Sequence, residues 1–402
     1  MSLPSPRDVA AGIAADLQAA GHTAVFAGGC VRDQLLQLEP SDYDIATSAT
    51  PEEVIKVFPR ALPVGIAFGV MLVRRDGLTT EVATFRSEGP YSDHRRPDEV
   101  QFTDDVHDAN RRDFTINGLF QDPVTGDIID HVGGKADLEA GVLRAIGDPA
   151  ARFNEDHLRM LRAVRFVASL AVELDPGTEQ AIMQHAPQLT GVSRDRIGDE
   201  VRRILLAPGG VAGIELLERT GLGSAIFGTP AASDSLARLT QVHSAEVAVP
   251  SLLAAWAMDR DGKAYDIAAT VGNWRECLQL SNEHRDGMHA CLLAHERLLD
   301  WSSLGVAARK RLAASPWADS AIEIVRASDE PLAVLIRADV VELARTGLNP
   351  PRVLDGDTLL ADGMPGGAAF GRVLELVYDA QLEGRVMSID EALQLARELS
   401  GR

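Results

Sequence analysis

The sequence predicts an α+β protein in which a domain with a mixed β-sheet, residues 1–149, is followed by helical domains. Up to Pro149, short apolar segments typical of strands alternate with segments of helical periodicity. Beyond Pro149 the strand signals fade, and apolar residues recur at helical spacing to the C-terminus. The sheet domain is therefore predicted to end near Pro149.

The first elements of the sheet domain carry clear local signals. Asp8 to Ala20 has the pattern of an amphipathic helix, and Thr23 to Phe26 is a short apolar strand. The segment that begins with Thr50-Pro51-Glu52-Glu53 combines an N-cap, a proline at the first helical position and a capping box. A helix is therefore predicted from there through Phe58.

A glycine pair follows the first strand. Gly28 and Gly29 allow a tight turn that turns backbone N–H groups and the N-terminus of the next helix outward. Arg32 opens that helix beside the glycines and can donate charge-assisted hydrogen bonds to phosphate. The stretch therefore predicts a phosphate-binding turn.

Two carboxylates follow close behind. Tyr43 to Ala46 is predicted to be a second strand, and Asp42 and Asp44 share one of its faces because side chains alternate along a strand. Two carboxylates directed at one point repel each other unless a cation lies between them. Hard oxygen ligands beside a phosphate site favour Mg²⁺, so both residues are candidate metal ligands and catalytic groups.

A β-hairpin is predicted from Gly69–Arg74 and Thr79–Arg86, with its turn at Asp76-Gly77. Glu81 on the second strand is a candidate third catalytic carboxylate beside the aspartate pair. An exposed strand residue with no catalytic part is an equal alternative. The pattern does not choose between them.

The next two segments are an irregular loop and a polar motif. Ser87 to Val100 is rich in Gly, Pro and charge and lacks periodicity, so it is interpreted as a mobile loop beside the site. In the following Arg-Arg-Asp-Phe-Thr-Ile-Asn segment, Arg111 and Arg112 can bind phosphate. Asp113 and Asn117 can hydrogen-bond a sugar hydroxyl.

Phe153 to Leu170 is predicted to be one amphipathic helix. At 3.6 residues per turn, Asp156, Arg159 and Arg162 follow one arc of it, and Arg165 lies nearly opposite Asp156. On the residues alone, the favoured interpretation is a surface ion pair between Asp156 and Arg159.

Composition indicates a cytoplasmic protein, since the 402 residues include no apolar run of membrane-spanning length and the N-terminus lacks signal-peptide character. Three cysteines in such a chain indicate reduced thiols. The formal net charge of −20 counts against nucleic-acid binding, which depends on Lys and Arg. Arginines are nevertheless clustered locally, and a patchy surface can attract nucleic acid despite an acidic total.

Several motifs carry a family resemblance. GGCVRD followed by SDYDIAT resembles the first motif of the class II tRNA nucleotidyltransferases and bacterial poly(A) polymerases, which have a polymerase-beta-like catalytic head. RRDFTINGL resembles the family's ribose and triphosphate motif, and EDHLRMLRAVRF resembles its base-recognition motif. VSRDRIGDEVRRILL resembles the fifth motif, expected to brace the base-recognition helix. The sequence departs from the family at Gln37, where glycine is common, at Gly118, where alanine is usual, and at Asp195, where glutamate is usual.

The resemblance implies that residues 1–149 form a catalytic head and 150–208 a neck, followed by a helical body over 209–325 and a helical, tRNA-binding tail over 326–402. It implies a Mg²⁺-dependent enzyme that adds CCA to tRNA 3′ ends from CTP and ATP without a nucleic-acid template. Asp156 and Arg159 would act as a protein template for the incoming base. Arg162 and Arg165 would orient that pair, brace neighbouring helices or contact phosphate.

Base chemistry explains why one aspartate and one arginine suffice. Cytosine and adenine both present an exocyclic amine donor beside a ring-nitrogen acceptor, whereas uracil and guanine present the reverse order. Alternatives within the family are an A-adding enzyme and a poly(A) polymerase. From another class, a non-catalytic tRNA-binding protein is disfavoured by the intact Asp42, Asp44 and Arg111.

Overall fold

The computed structural model describes residues 4–245, 247–262 and 266–400. The chain falls into two compact units, residues 1–230 and 231–402. The predicted α+β class is confirmed, because a mixed sheet is followed by helices. The finer division into head, neck, body and tail stays a prediction.

The strands of the first unit occur mainly before Pro149. In chain order they are β1 (Ala24–Ala27), β2 (Ile45–Thr47), β3 (Leu62–Gly65), β4 (Val70–Arg75), β5 (Leu78–Thr84), β6 (Arg86–Glu88), β7 (Val100–Phe102), β8 (Leu119–Gln121), β9 (Ile128–Asp130), β10 (Val142–Leu143) and β11 (Glu173–Leu174). Seven of them form one mixed sheet in the order β3-β4-β5-β2-β1-β8-β9. The β2–β5 pair is parallel, and β1 pairs antiparallel with both β2 and β8.

The helices of this unit cover the sheet and then continue beyond it. They are α1 (Pro6–Ala19), α2 (Gly29–Leu35), α3 (Pro51–Val57), α4 (Asp105–Asn110), α5 (Gly134–Glu139), α6 (Pro149–Glu155), α7 (Leu158–Leu170), α8 (Pro176–His185), α9 (Arg194–Leu206), α10 (Gly210–Arg219) and α11 (Leu222–Phe227). Helix α1 packs on the sheet through Ile13 and Leu17, in one core with Phe26 and Ile45. This core holds β1 and β2 in place, and the site residues extend from their ends.

Local signals in the sequence account for several elements. The capping box at Thr50 and Glu53 is formed, and α3 begins directly after it. Asp76 and Gly77 both have positive φ, +52° and +81°, as the turn of the β4–β5 hairpin requires. The predictions of this helix and this hairpin are confirmed.

Three predictions of local structure need correction. The second strand begins at Ile45, so Asp42 and Asp44 precede it instead of lying on it. Both ends of the predicted loop pair with each other as β6 and β7. The predicted helix over 153–170 is two helices, α6 and α7, separated at Asp156-His157.

The structure bears on two of the departures from the family pattern, since it explains the glycine that is common at position 37 and the glycine found here at position 118. Gln37 has φ +58°, the left-handed conformation that favours glycine, directly after helix α2. At Gly118, an added Cβ would lie 2.6 Å from Val132 Cγ2. The valine methyl therefore occupies the space that an alanine at position 118 would need.

The second unit is helical throughout its described residues. Its helices are α12 (Ala237–His243), α13 (Val249–Asp261), α14 (Ile267–Leu278), α15 (Asn282–Leu299), α16 (Val306–Ala313), α17 (Ala318–Arg326), α18 (Glu330–Ala344), α19 (Gly356–Ala361), α20 (Ala368–Leu382) and α21 (Ile389–Leu399). Trp256 and Trp274 pack edge to face, with ring centroids 4.8 Å apart. Helices α19 to α21 share a separate core that includes Leu359, Val377 and Ala396.

All three cysteines lie in the described part of the chain, where they are buried and form no disulfide. Within that same part, no helix is both long and apolar enough to cross a membrane.

The contact between α5 and the turn at Thr115 is tight enough to test. A Cβ on Gly134 would lie 2.1 Å from the carbonyl oxygen of Thr115, and backbone cannot relieve this overlap by a rotamer change. We expect Gly134→Ala to lower the free energy of unfolding by about 2 kcal/mol, as overpacking of a close contact does. Urea unfolding followed by circular dichroism measures the loss.

Gly191→Ala is the matched control, because a Cβ there meets nothing within 4 Å and the backbone is not left-handed. Equal stability of the two variants would show that the α5 contact is looser than the structure has it.

Candidate active site

A single cavity of about 1080 Å³ in the first unit gathers the residues that the sequence singles out. All fourteen candidate site residues line it: Gly28, Gly29, Arg32, Asp42, Asp44, Glu81, Arg111, Arg112, Asp113, Asn117, Asp156, Arg159, Arg162 and Arg165. The first and last of them, Gly28 and Arg165, are 137 residues apart in the chain.

The glycine turn between β1 and α2 needs glycine at its first position. Gly28 has φ +71°, and a Cβ there would lie 2.8 Å from Nη1 of Arg112. The Gly28 N–H donates to the carbonyl of Leu119 (3.0 Å), which ties the turn to β8. Arg32 on α2 reaches across the site and donates from Nη1 to Oδ1 of Asn117 (2.6 Å).

The acidic residues meet where β2 and β5 run side by side. Ile45 pairs with Val82 in parallel register, so Asp44 and Glu81 occupy equivalent positions just before that pair. Partial burial, together with the negative charges of Glu81 and Asp42, raises the pKa of Asp44 to about 6. The structure therefore places Glu81 beside the aspartate pair.

This carboxylate group fits a divalent cation. Burial and the neighbouring charges of Glu81 and Asp42 both disfavour the ionised form of Asp44 and raise its pKa, and a cation bound there would offset both effects. In the described part of the chain, no three His, Cys, Asp or Glu side chains stand close enough to hold a metal by themselves. That agrees with Mg²⁺ chemistry, in which one or two carboxylates share the ion with water and substrate phosphate.

Arg111 and Arg112 are held by buried acids. Arg111 contacts Asp108 (2.8 Å) and Glu88 (3.1 Å), and Arg112 contacts Asp108 (3.0 Å) and the carbonyl of Asn117 (3.1 Å). Burial of Asp108 opposes its ionisation, but the two guanidinium groups outweigh burial and hold its pKa below the ordinary range. Both arginines are thus fixed in orientation with edges toward the cavity.

Asp113 is the centre of a second buried network. Its Oδ2 accepts from Nε (2.9 Å) and Nη2 (2.6 Å) of Arg162, and its Oδ1 accepts from Nδ2 of Asn117 (3.0 Å). Burial opposes ionisation, but Arg162 and Asn117 lower the pKa of Asp113 to about 2. Because Asn117 also accepts from Arg32, the network runs from α2 to α7.

The break between α6 and α7 changes the expected position of Asp156. Its backbone is extended (φ −141°, ψ 106°), and its Oδ1 accepts from the N–H of Leu158 (3.0 Å), near the start of α7. Its carboxylate also accepts from Nη2 of Arg196, at 3.0 and 3.3 Å from the two oxygens. The favoured ion pair between Asp156 and Arg159 is therefore wrong, since each side chain has another partner.

Arg159 on α7 is held across the break by residues of α6. It is 9% exposed, pairs with the carboxylate of Glu155, and donates from Nη1 to the carbonyl of Arg152 (3.1 Å). Asp156 and Arg159 both line the cavity, so two separately fixed groups of opposite charge face one space.

One aromatic ring supports three arginines of the site. The ring centroid of Phe166 lies 5.2 Å from the guanidinium carbon of Arg32, 5.6 Å from that of Arg162 and 4.8 Å from that of Arg165. Arg165 also pairs with the buried Glu200 on α9 (3.3 Å). Of the roles considered for Arg165, these contacts agree best with a structural one.

The segment between β6 and β7 is anchored to the site at two points. The hydroxyl of Tyr91 donates to the carboxylate of Glu88, which also pairs with Arg111. The ring of His94 stacks on that of His157, with centroids 4.5 Å apart, beside the break at Asp156.

Sequence reasoning missed several residues that complete the site: Glu88, Asp108, Phe166, Arg196, Glu200 and Arg203. The i+3 and i+4 spacing of Asp108 from Arg111 and Arg112 was a usable signal. Arg196 and Glu200 lie in the segment expected to brace the base-recognition helix, but no local pattern names their partners on or near α7.

The charge of the cavity differs from that of the whole chain. Eleven arginines and six acidic side chains line it, against a formal net charge of −20 for the protein. Arg95, Arg96 and Arg203 are exposed among them. The cavity is therefore a positive site within an acidic protein, as anionic substrates require.

Comparison with known proteins is consistent along the chain. Residues 24–144 match the family described as "Poly A polymerase head domain", and residues 172–246 match the "Probable RNA and SrmB- binding site of polymerase A". The CCA-adding enzyme of Lactobacillus johnsonii is 34% identical over 392 residues, which cover 97% of this chain and 96% of that protein. The CCA-adding enzyme of Anoxybacillus flavithermus is 40% identical over 289 residues, 70% of each chain.

Solved structures agree with these relatives. The crystal structure of the Bacillus stearothermophilus CCA-adding enzyme in complex with CTP has a TM-score of 0.78 and 28% identity, and the match covers 99% of both chains. The Thermotoga maritima CCA-adding enzyme complexed with tRNA shares the fold, with a TM-score of 0.74 at 19% identity over 99% of this chain and 96% of that one. Because a relative of 34% identity spans nearly the full length of both proteins, this chain belongs to the family of CCA-adding enzymes with a poly(A) polymerase head domain.

Proposed function

We propose that this protein is a tRNA nucleotidyltransferase that adds C, C and A to the 3′ end of tRNA, from CTP and ATP and without a nucleic-acid template. One observation carries the proposal. A single cavity brings together a cluster of carboxylates suited to a metal ion, arginines suited to a triphosphate, and an aspartate and an arginine suited to recognising a nucleobase. The reaction needs all three.

The arginines are arranged to hold the nucleotide. Arg32, Arg111 and Arg112 offer guanidinium edges to the phosphates next to the turn at Gly28-Gly29. Asn117 and Asp113 lie between these arginines and α7, where we expect them to contact the ribose. Because their side chains are already fixed by hydrogen bonds, little side-chain freedom is lost when the nucleotide binds.

Asp42 and Asp44 would hold Mg²⁺, with Glu81 beside them. When bound, the ion lowers the pKa of the attacking 3′-hydroxyl and stabilises negative charge on the departing pyrophosphate. The carboxylate of Glu81 faces the same space and orients the hydroxyl of the RNA.

Base choice follows from the two groups at the α6–α7 break. Asp156 accepts from the exocyclic amine of cytosine or adenine, and Arg159 donates to the neighbouring ring nitrogen. UTP and GTP place acceptor against carboxylate and donor against guanidinium, a mismatch that can reject them by roughly 10⁴-fold. Arg196 and Glu155 position this pair through their ion contacts.

The alternatives share most of this site. An A-adding enzyme or a poly(A) polymerase would use the same metal and triphosphate groups, but the relatives that match along nearly the whole chain are named CCA-adding enzymes. A non-catalytic tRNA-binding protein would have no use for the clustered charges of Asp44 and Glu81. The substrate and the reduced cysteines agree with the cytoplasm as the place of action.

Asp42→Asn and Asp44→Asn test the metal site. We expect each to lower kcat by at least roughly 10³-fold, because an amide is a poor ligand for Mg²⁺, while tRNA binding stays within about twofold. Single-turnover addition of CMP measures the first effect, and filter binding of tRNA measures the second. Mg²⁺ should also raise the melting temperature of the wild type but not of these variants.

Asp76→Asn is the control, since Asp76 is exposed in the hairpin turn and asparagine tolerates its positive φ. Near-normal turnover of Asp42→Asn in Mg²⁺ would exclude the assignment.

Asp156→Ala and Arg159→Ala test the protein template. We expect efficiency with CTP and ATP to fall by roughly 10²-fold and the relative use of UTP or GTP to rise, because the mismatch penalty disappears with the charges. Competition among the four nucleotides on a tRNA without CCA measures the preference.

Glu342→Ala and Arg345→Ala are controls from an exposed i,i+3 ion pair at the C-terminal end of α18. If Asp156→Ala and Arg159→Ala kept the wild-type preference as these controls do, base choice would need another source.

Arg196→Gln tests whether Asp156 is positioned by its ion pair. We expect a loss of CTP and ATP efficiency between roughly tenfold and 10²-fold, with part of the preference lost, since small displacements of a reading group cost this much. Arg202→Gln on the same helix removes only a surface contact with Asp199 and should leave both unchanged. Wild-type selectivity in Arg196→Gln would show that the Arg196 contact is dispensable.

A further inference from the structure

A strip of apolar surface forms one wall of the cavity. Val64 on β3, Phe68 in the 3₁₀ turn Ile66–Phe68 and Val70 on β4 line the cavity there, and we call these three side chains the apolar ledge. Val64 is 64% exposed to solvent. Most of the other side chains that line the cavity are charged, so this wall contrasts with the arginine-rich parts of the site.

The order of strands in the sheet fixes the position of the apolar ledge. Asp42 and Asp44 lie just before β2 and Glu81 lies on β5, and these two strands are near the middle of the order β3-β4-β5-β2-β1-β8-β9. On one side, β1 and β8 carry the glycine turn and lead to Asn117 and Arg112. On the other side, β4 and β3 carry the apolar ledge. The carboxylates therefore lie between the arginine side and the apolar side.

The geometry of the reaction assigns these two sides to different substrates. In phosphoryl-type transfer, the attacking and leaving oxygens lie roughly in line on opposite sides of phosphorus. The pyrophosphate leaves on the arginine side, where its charge is matched. The attacking hydroxyl must therefore come from the side of β5, β4 and β3, which brings the nucleoside that carries it over the apolar ledge.

The chemistry of the apolar ledge suits a nucleobase that is bound without recognition of its identity. Its three side chains have no hydrogen-bonding group, so they can contact the flat face of any base by dispersion and apolar burial. The terminal base of the RNA changes as nucleotides are added, whereas Asp156 and Arg159 must tell bases apart. An RNA end whose terminal base changes during the reaction requires a surface that contacts every base in the same way.

The apolar ledge is fixed in place from below. Arg86 donates from Nη1 to the carbonyl of Phe68 (2.6 Å), and its guanidinium carbon lies 5.8 Å from the centroid of the Phe68 ring. Arg86 also pairs with Glu88 (2.7 Å). These contacts tie the turn that carries Phe68 to β6.

We propose that the apolar ledge is the binding site for the base of the 3′-terminal nucleotide of the RNA, which it contacts without reading its identity. The proposal rests on the nucleotidyl transfer proposed above and adds the place where the end of the RNA is held.

The test combines one variant with one altered RNA. A tRNA transcript ending in its two cytidines is compared with the same transcript lacking the base of its last nucleotide, and addition of AMP is measured. Val64→Ser should raise KM for the intact RNA about fivefold, since it removes the contact of two methyl groups. It should raise KM for the abasic RNA less than twofold and leave KM for ATP unchanged, which also shows that the variant is folded.

Val124→Ser is the matched control, because Val124 is 70% exposed in the same unit but does not line the cavity. An equal effect of Val64→Ser on both RNAs, or an effect no larger than that of Val124→Ser, would overturn the proposal while the wild type still adds AMP. If the wild type added no nucleotide to the intact RNA, the proposed transfer itself would be wrong.

Discussion

The buried ion pair between Asp113 and Arg162 is the interaction on which the geometry of the site depends. Asp113 follows α4 in the sheet-bearing part of the chain, and Arg162 lies on α7, 49 residues later. A buried carboxylate is costly unless its hydrogen-bonding capacity is used. Here Arg162 and Asn117 together engage both oxygens, and Asn117 is in turn bound by Arg32. The pair thus fixes the groups proposed to hold the nucleotide relative to the helix proposed to read its base.

Local clustering of charge also explains how a protein of acidic net charge can offer a positive binding site. An acidic total does not prevent binding of an anionic substrate when the positive groups are concentrated in one cavity. The buried acids in the site, such as Asp108 and Glu200, serve mainly to hold arginines in place. Much of the negative charge near the site is therefore used to orient positive charge.

The interruption between α6 and α7 gives the base-reading pair its separate supports. In one continuous helix, Asp156 and Arg159 would be near enough on the surface to pair with each other. The break turns Asp156 toward Arg196 on α9, while Arg159 keeps Glu155 as its partner. Each reading group is therefore held from a different side, and both face the cavity.

What the sequence determined by itself is local. The capping box at Thr50, the Asp76-Gly77 turn and the alternation of strands and helices predicted the α+β fold, because each of these signals depends on neighbouring residues. The motifs also named fourteen residues that lie in one cavity, since a site's chemistry requires particular side chains at fixed spacing. Only the tertiary structure decided where α6 ends and which distant partner each charged group has. Partners such as Arg196 and Glu200 are brought to α7 by the packing of α9, and packing between distant segments leaves no periodic pattern in the sequence.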